Sequence, residues 1–138
     1  MEQLAVEIVG LCREYGECRV EVERMEEARR VKNALESVCA MARQRLDISD
    51  PALLLALLDA CEVTRDEGML QEVLDVVGGN LDRLAVSAES VKLLACCYYY
   101  VEEEECVERA GRMLEELRKM GRGEEELADV ETILEELT

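Results

Sequence analysis

Apolar residues recur every three or four positions through almost the whole chain, and this spacing restricts its fold more than any other feature. The spacing places apolar side chains on one face of an α-helix, whereas a half-buried strand alternates apolar and polar residues. No segment shows that alternation. The sequence therefore predicts an all-α fold of about six to seven helices, arranged as stacked antiparallel helical hairpins. Whether these form a right-handed, repeat-like α-α array or an irregular helical bundle stays open.

Residues that start and stop helices divide the first half of the chain. We expect a first helix over 2–15 that stops at Gly16, and a second helix over 21–46 that is the longest element. Asp50 and Pro51 are typical of a helix start. The Asp side chain can accept unpaired backbone N–H groups there, and Pro has no N–H to leave unpaired.

The helix that begins at Pro51 should be central, because 53–58 is apolar around most of the helix circumference. The next helix is expected to end at Gly78 and Gly79, and the sequence leaves open whether a further turn follows. Ser87 is a predicted cap for the helix after that. Leu57 and Leu94, each near the middle of an apolar helix, are predicted core residues.

Two parts of the second half can be superimposed, which suggests an internal repeat. The first helices match at a shift of 38 residues, with Leu53 on Val91, and the second helices match at a shift of 37, with Val73 on Ala110. Stacked helical hairpins produce a period of this size, because each pair buries its face on the next.

The stretch Val91–Gly121 resembles a tetratricopeptide-type or pentatricopeptide-type repeat, and the likeness extends more loosely over Ile48–Gly121. Residues at the positions typical of such a repeat are Leu94, Tyr98 and Val101 on the first helix and Ala110, Leu114 and Leu117 on the second. The resemblance implies the same helical-hairpin architecture.

Length and charge restrict the function. A chain of 138 residues can bury a core as one domain, so we expect a single domain over 1–138. The formal net charge of −17 makes the average surface repel nucleic acid and anionic lipid, and we expect it to bind neither. The chain starts without a basic, apolar leader and contains no long apolar run, so we expect a cytoplasmic protein.

The residue inventory argues against metal binding and catalysis. The seven cysteines show no Cys-x-x-Cys spacing, and no histidine is present to complete a mixed zinc site. We therefore expect reduced thiols that pack in the core, no metal and no cofactor. Without histidine, Cys-His and Ser-His nucleophile pairs cannot form, and we expect no enzyme activity.

Three consecutive tyrosines form the most distinctive feature of the surface. Successive helical residues point about 100° apart, so Tyr98, Tyr99 and Tyr100 cannot all enter one core. One interpretation is that Tyr98 packs inside while the other two cover neighbouring helices. The other is a partner surface rimmed by Glu102, Glu103, Glu104 and Glu105, which would favour a basic peptide or protein. The same glutamates are also typical of the first turn of a helix.

The C-terminal helix, from about Glu124, has a narrow apolar seam formed by Leu127, Val130, Leu134 and Leu137. A helix of this length is marginal in water without a docking surface. The seam can pack on the preceding hairpin as a cap, or it can form an assembly helix that contacts another subunit in a homo-oligomer. Gly121 and Gly123 permit a tight reversal of the chain and favour the cap.

These observations predict a non-enzymatic protein–protein interaction or assembly subunit with an acidic surface. The alternative is an acidic inhibitor that mimics nucleic acid and binds a basic protein. A mimic held mainly by charge should lose affinity steeply with added salt, whereas a partner held by apolar contacts should lose much less.

Overall fold

A computed structural model describes the backbone of residues 2–121 and 124–137, without the side chains at positions 2, 124–126, 130 and 137. Within these ranges the chain forms seven α-helices and two 3-10 helices and contains no strand, which confirms the all-α prediction. The α-helices are α1 (Glu2–Cys18), α2 (Met25–Arg43), α3 (Pro51–Thr64), α4 (Glu67–Gly78), α5 (Ala88–Val101), α6 (Glu104–Lys119) and α7 (Glu124–Leu137).

The chain divides into two compact units, Met1–Val76 and Val77–Thr138, and the boundary falls in the last turn of α4. In the first unit α1 packs against α2, and α3 packs against both. In the second unit α5 packs against α6, and α7 packs against both. Each unit therefore contains a helix pair that receives a third helix.

The helices α3 and α5 are the most completely buried parts of their units. Leu57 and Leu94, the predicted core residues, have no exposed surface, which confirms their placement. Their neighbours along each helix are buried as well: Leu53, Leu54, Ala56, Leu58, Ala60 and Cys61 on α3, and Ala88, Ser90, Val91, Leu93, Ala95 and Cys97 on α5.

The starts of α3 and α5 use the same kind of capping hydrogen bond. The Asp50 carboxylate accepts a hydrogen bond from the backbone N–H of Leu53 (3.2 Å), and Pro51 takes the first helical position as predicted. The Ser87 hydroxyl accepts from the backbone N–H of Ser90 (3.1 Å). Each cap satisfies one of the N–H groups that a helix start leaves unpaired.

The ends of α3 and α5 also correspond. Arg65 and Glu102 follow the two helices in the left-handed conformation, with φ of 55° and 52°. The backbone N–H of Arg65 donates to the Cys61 carbonyl (2.9 Å), and that of Glu102 donates to the Tyr98 carbonyl (2.8 Å). Caps and ends are therefore both separated by 37 residues.

This common shift corrects the register predicted for the first helices, where Leu53 was matched to Val91 at a shift of 38. The caps match Asp50 to Ser87, so Leu54 corresponds to Val91. The prediction was wrong by one residue because α3 is apolar around most of its circumference. A helix of that kind offers no apolar stripe from which to read the register, and only the cap fixes it.

Two predicted helix boundaries in the first unit are also wrong. Gly16 does not end the first helix, because α1 continues to Cys18, whose side chain has no exposed surface. The second helix does not span 21–46, because a 3-10 helix over Val22–Arg24 precedes α2, which ends at Arg43. At 19 residues α2 is still the longest element. A 3-10 helix, Leu81–Arg83, is the further turn left open after Gly79.

Replacing Leu57 or Leu94 with Ala should lower the free energy of unfolding by about 2 to 5 kcal/mol, because each change leaves a cavity in a packed core. Chemical denaturation followed by circular dichroism measures the effect. The control is Val22→Ala at a strongly exposed position, which should change stability by less than about 0.5 kcal/mol. Equal small effects at all three positions would show that the two helices are not core elements.

Candidate functional site

The candidate partner surface lies where α5 ends and α6 begins, and we call Tyr98–Glu105 the α5–α6 tip. Tyr98 and Tyr100 are half-buried, whereas Tyr99 keeps 70% of its surface exposed. Val101, which follows them, is exposed as well. The helix therefore directs one aromatic and one aliphatic side chain to solvent at the same end.

The Tyr99 ring contacts that of its neighbour, Tyr100. The ring centroids of Tyr99 and Tyr100 are 5.2 Å apart with an interplanar angle of 86°, an edge-to-face arrangement. Aromatic pairs favour this geometry because the positive ring edge meets the negative ring face. The pair restricts the orientation of an exposed ring and so reduces the entropy lost when a partner packs on it.

The four glutamates occupy three structural positions, which corrects the view that the whole run starts a helix. Glu102 ends α5 in the left-handed conformation, and Glu103 immediately precedes α6. Only Glu104 and Glu105 lie in the first turn of α6, where the unpaired N–H groups favour negative charge. The four side chains are exposed.

The negative charge at the tip is not neutralised locally. Across the residues that the structure describes, none of the four glutamates takes part in an ion pair. The next basic residue along the chain, Arg109, pairs instead with Asp82 (Nη1 to Oδ1, 3.2 Å). Burial raises the pKa of the Cys106 thiol, and the charges of Glu103 and Glu105 raise it further. Two of the four glutamates thus lie close enough to Cys106 to influence its thiol.

The candidate assembly helix packs within its own unit. Leu127 and Leu134 are buried, and α7 lies against α5 and α6. Arg118 of α6 forms an ion pair with Glu131 of α7. The side chains of Val130 and Leu137 lie outside the described residues, as does Gly123. Gly121 adopts φ of +72°, a conformation that glycine reaches without steric cost.

Sequence reasoning missed a cluster of charged groups in the first unit. Arg43 donates two hydrogen bonds to Glu72 (2.9 and 2.7 Å) and a third to Asp66 (3.0 Å), which in turn accepts from the backbone N–H of Met69 (3.0 Å). These partners lie 23 and 29 residues from Arg43, so no local pattern could indicate them. The Arg43 guanidinium holds the pKa of the Glu72 carboxyl below its usual value.

This cluster borders a cleft of about 50 Å³, lined by Glu36, Cys39, Ala40, Arg43, Thr64, Asp66 and Met69. A volume of this size accommodates only a few water molecules. The Thr64 hydroxyl donates to the Ala60 carbonyl (3.0 Å), and Arg43 is engaged by two carboxylates. The contacts that border the cleft therefore connect α2 to the start of α4.

The cysteines behave as packing residues in this structure. Five are buried and two, Cys12 and Cys96, are half-buried. Burial raises the pKa of Cys12 and Cys39 to about 11 and that of Cys61 and Cys97 to about 12. In the described part of the chain, no group of three or more Cys, Asp or Glu side chains could hold a metal ion.

We expect fewer than three thiols of the native protein to react rapidly with a disulfide reagent at pH 8, and all seven after denaturation. Stability should also fall as the pH rises from about 9 towards 12. In that range the unfolded chain releases thiol protons near the ordinary value of 9.0, while the folded chain retains them. A native protein in which most thiols react at once would contradict the burial of these residues.

The described residues include no helix that is both long and apolar enough to cross a membrane. No protein-family model matches the chain, and neither a curated protein nor a solved structure does. The geometry of the tip and of α7 is therefore the basis for any functional assignment.

Proposed function

We propose that the chain is a non-enzymatic protein–protein interaction or assembly subunit, and that the α5–α6 tip binds a basic segment of a partner protein. The observation that carries this proposal is the combination of an exposed, oriented Tyr99 ring with four exposed glutamates that form no ion pair in the described structure. Neither feature contributes to the core. Both are exposed at the same end of α5, so one partner protein can contact them together.

The two parts of the tip supply different contributions to binding. An exposed tyrosine face attracts an Arg or Lys side chain by about 0.5 to 1 kcal/mol, and its ring also buries apolar area. The glutamates raise the association rate of a basic segment and exclude acidic ones. A partner segment with basic side chains beside an apolar residue would satisfy Tyr99, Val101 and the glutamates together.

The net charge of −17 supports a second candidate, an acidic inhibitor that mimics nucleic acid. A mimic uses charge spread over a wide surface, whereas the proposed tip uses a local aromatic contact. The two candidates therefore differ in which substitutions matter and in how steeply affinity falls with salt.

Binding of a fluorescent peptide of about ten residues, rich in Arg and Lys and containing one Leu, measures the contribution of the tip. Tyr99→Ala should weaken binding about two- to fivefold, and the double change Glu103→Gln with Glu104→Gln should weaken it by a similar factor. The matched control is Glu115→Gln with Glu116→Gln, which removes the same charge from exposed positions of α6. Its affinity should stay within about twofold of the parent chain.

Equal losses in the tip and control charge variants, with no effect of Tyr99→Ala and a steep salt dependence, would instead favour the mimic. The absence of peptide binding to the parent chain in low salt would contradict both candidates. Circular dichroism of each variant shows whether the helices are retained, so a loss of binding can be separated from a loss of fold.

A further inference from the structure

The helices α3, α5 and α7 form a series with one length and nearly one spacing. Each contains 14 residues. The starts of α3 and α5 are 37 residues apart, and those of α5 and α7 are 36 residues apart. Both α3 and α7 follow a helix pair of their own unit and pack against both of its members.

Two buried positions are common to all three helices. Leu127 and Leu134 of α7 are buried, and so are the residues 37 and 74 positions before them. These are Ser90 and Leu53 for the first position, and Cys97 and Ala60 for the second. These two positions form the inner face with which α7 packs in its unit.

Other positions are buried in α3 and α5 but not in α7. Outside this inner face, and leaving aside the position of Val130, whose side chain is not described, three positions are at most 2% exposed in both earlier helices: Leu54, Leu57 and Leu58 in α3, and Val91, Leu94 and Ala95 in α5. The corresponding residues of α7 are Ala128, Glu131 and Thr132, of which the first and last are exposed and Glu131 is half-buried. We call these three residues the outer face of α7.

The polar side chains of the outer face already have partners within the chain. Glu131 pairs with Arg118, and the Thr132 hydroxyl donates to the Ala128 carbonyl (3.0 Å). Ala128 is too small to offer a large apolar contact. Where α3 and α5 bury three apolar side chains, α7 presents one methyl group, one satisfied hydroxyl and one paired carboxylate.

We propose that α7 is a polar-faced cap, and that its outer face prevents a second copy of this chain from docking in the register of the repeated helices. Stacked helical pairs bury each face on the next, so a helix with an apolar outer face recruits another pair, and one with a polar outer face does not. This inference concerns self-association and is independent of the partner bound at the α5–α6 tip.

The test introduces apolar side chains on the outer face of α7 in the full chain. Ala128→Leu combined with Thr132→Leu introduces the residues that α3 carries at the corresponding positions and leaves the Arg118–Glu131 pair intact. Sedimentation equilibrium between about 5 and 200 µM should show this variant shifting to a dimer or larger species, with an apparent Kd at least tenfold below that of the parent chain.

The matched control is Asp129→Leu with Glu136→Leu, which adds two leucines at other exposed positions of α7. The control also removes two negative charges, so it favours non-specific association more than the test variant does. We expect it to remain at the parent's association state. Equal association of control and test variants, or no association of a test variant whose helicity matches the parent, would overturn the proposal. A third variant that adds Glu131→Leu completes the α3 face, and it should associate at least as tightly.

Discussion

The structure depends on two short helices, α3 and α5, that are apolar around most of their surface and so must be enclosed on several sides. A helix with one apolar stripe needs only one neighbour, whereas these two bury seven residues each. In the first unit α1 and α2 cover α3, and in the second α6 and α7 cover α5. The polar residues of the chain, which give it a net charge of −17, are then left for the outside.

The ends of the same two helices determine where the candidate surface lies. Each ends at a residue in the left-handed conformation, which stops the helix. At the end of α3 this residue is Arg65, beside the ion-paired Asp66. At the end of α5 it is Glu102, beside three further glutamates and the exposed Tyr99. The same left-handed helix end is thus followed by ion-paired residues in the first unit and by the exposed, acidic and aromatic α5–α6 tip in the second.

Sequence reasoning predicted what local chemistry determines and missed what distant contacts determine. Asp50, Pro51 and Ser87 identified helix starts because capping acts over three residues. Gly16 was misread as a stop because burial of Cys18, a tertiary effect, extends α1 past it. The contacts of Arg43 were not foreseeable from local spacing. The tyrosines and glutamates of the tip were identified as a candidate surface, but their exposures and the orientation of Tyr99 required the three-dimensional structure.

Native-state hydrogen exchange tests most directly the claim that α3 and α5 are the cores of their units. We predict that the amides of 54–61 and 91–98 exchange most slowly, through openings close in free energy to the unfolding of the units that contain them. The amides of 102–105 and of the described part of α7 should exchange faster. If the amides of 54–61 and 91–98 instead exchanged as fast as those at the tip, neither helix could be the element on which the rest of the structure packs.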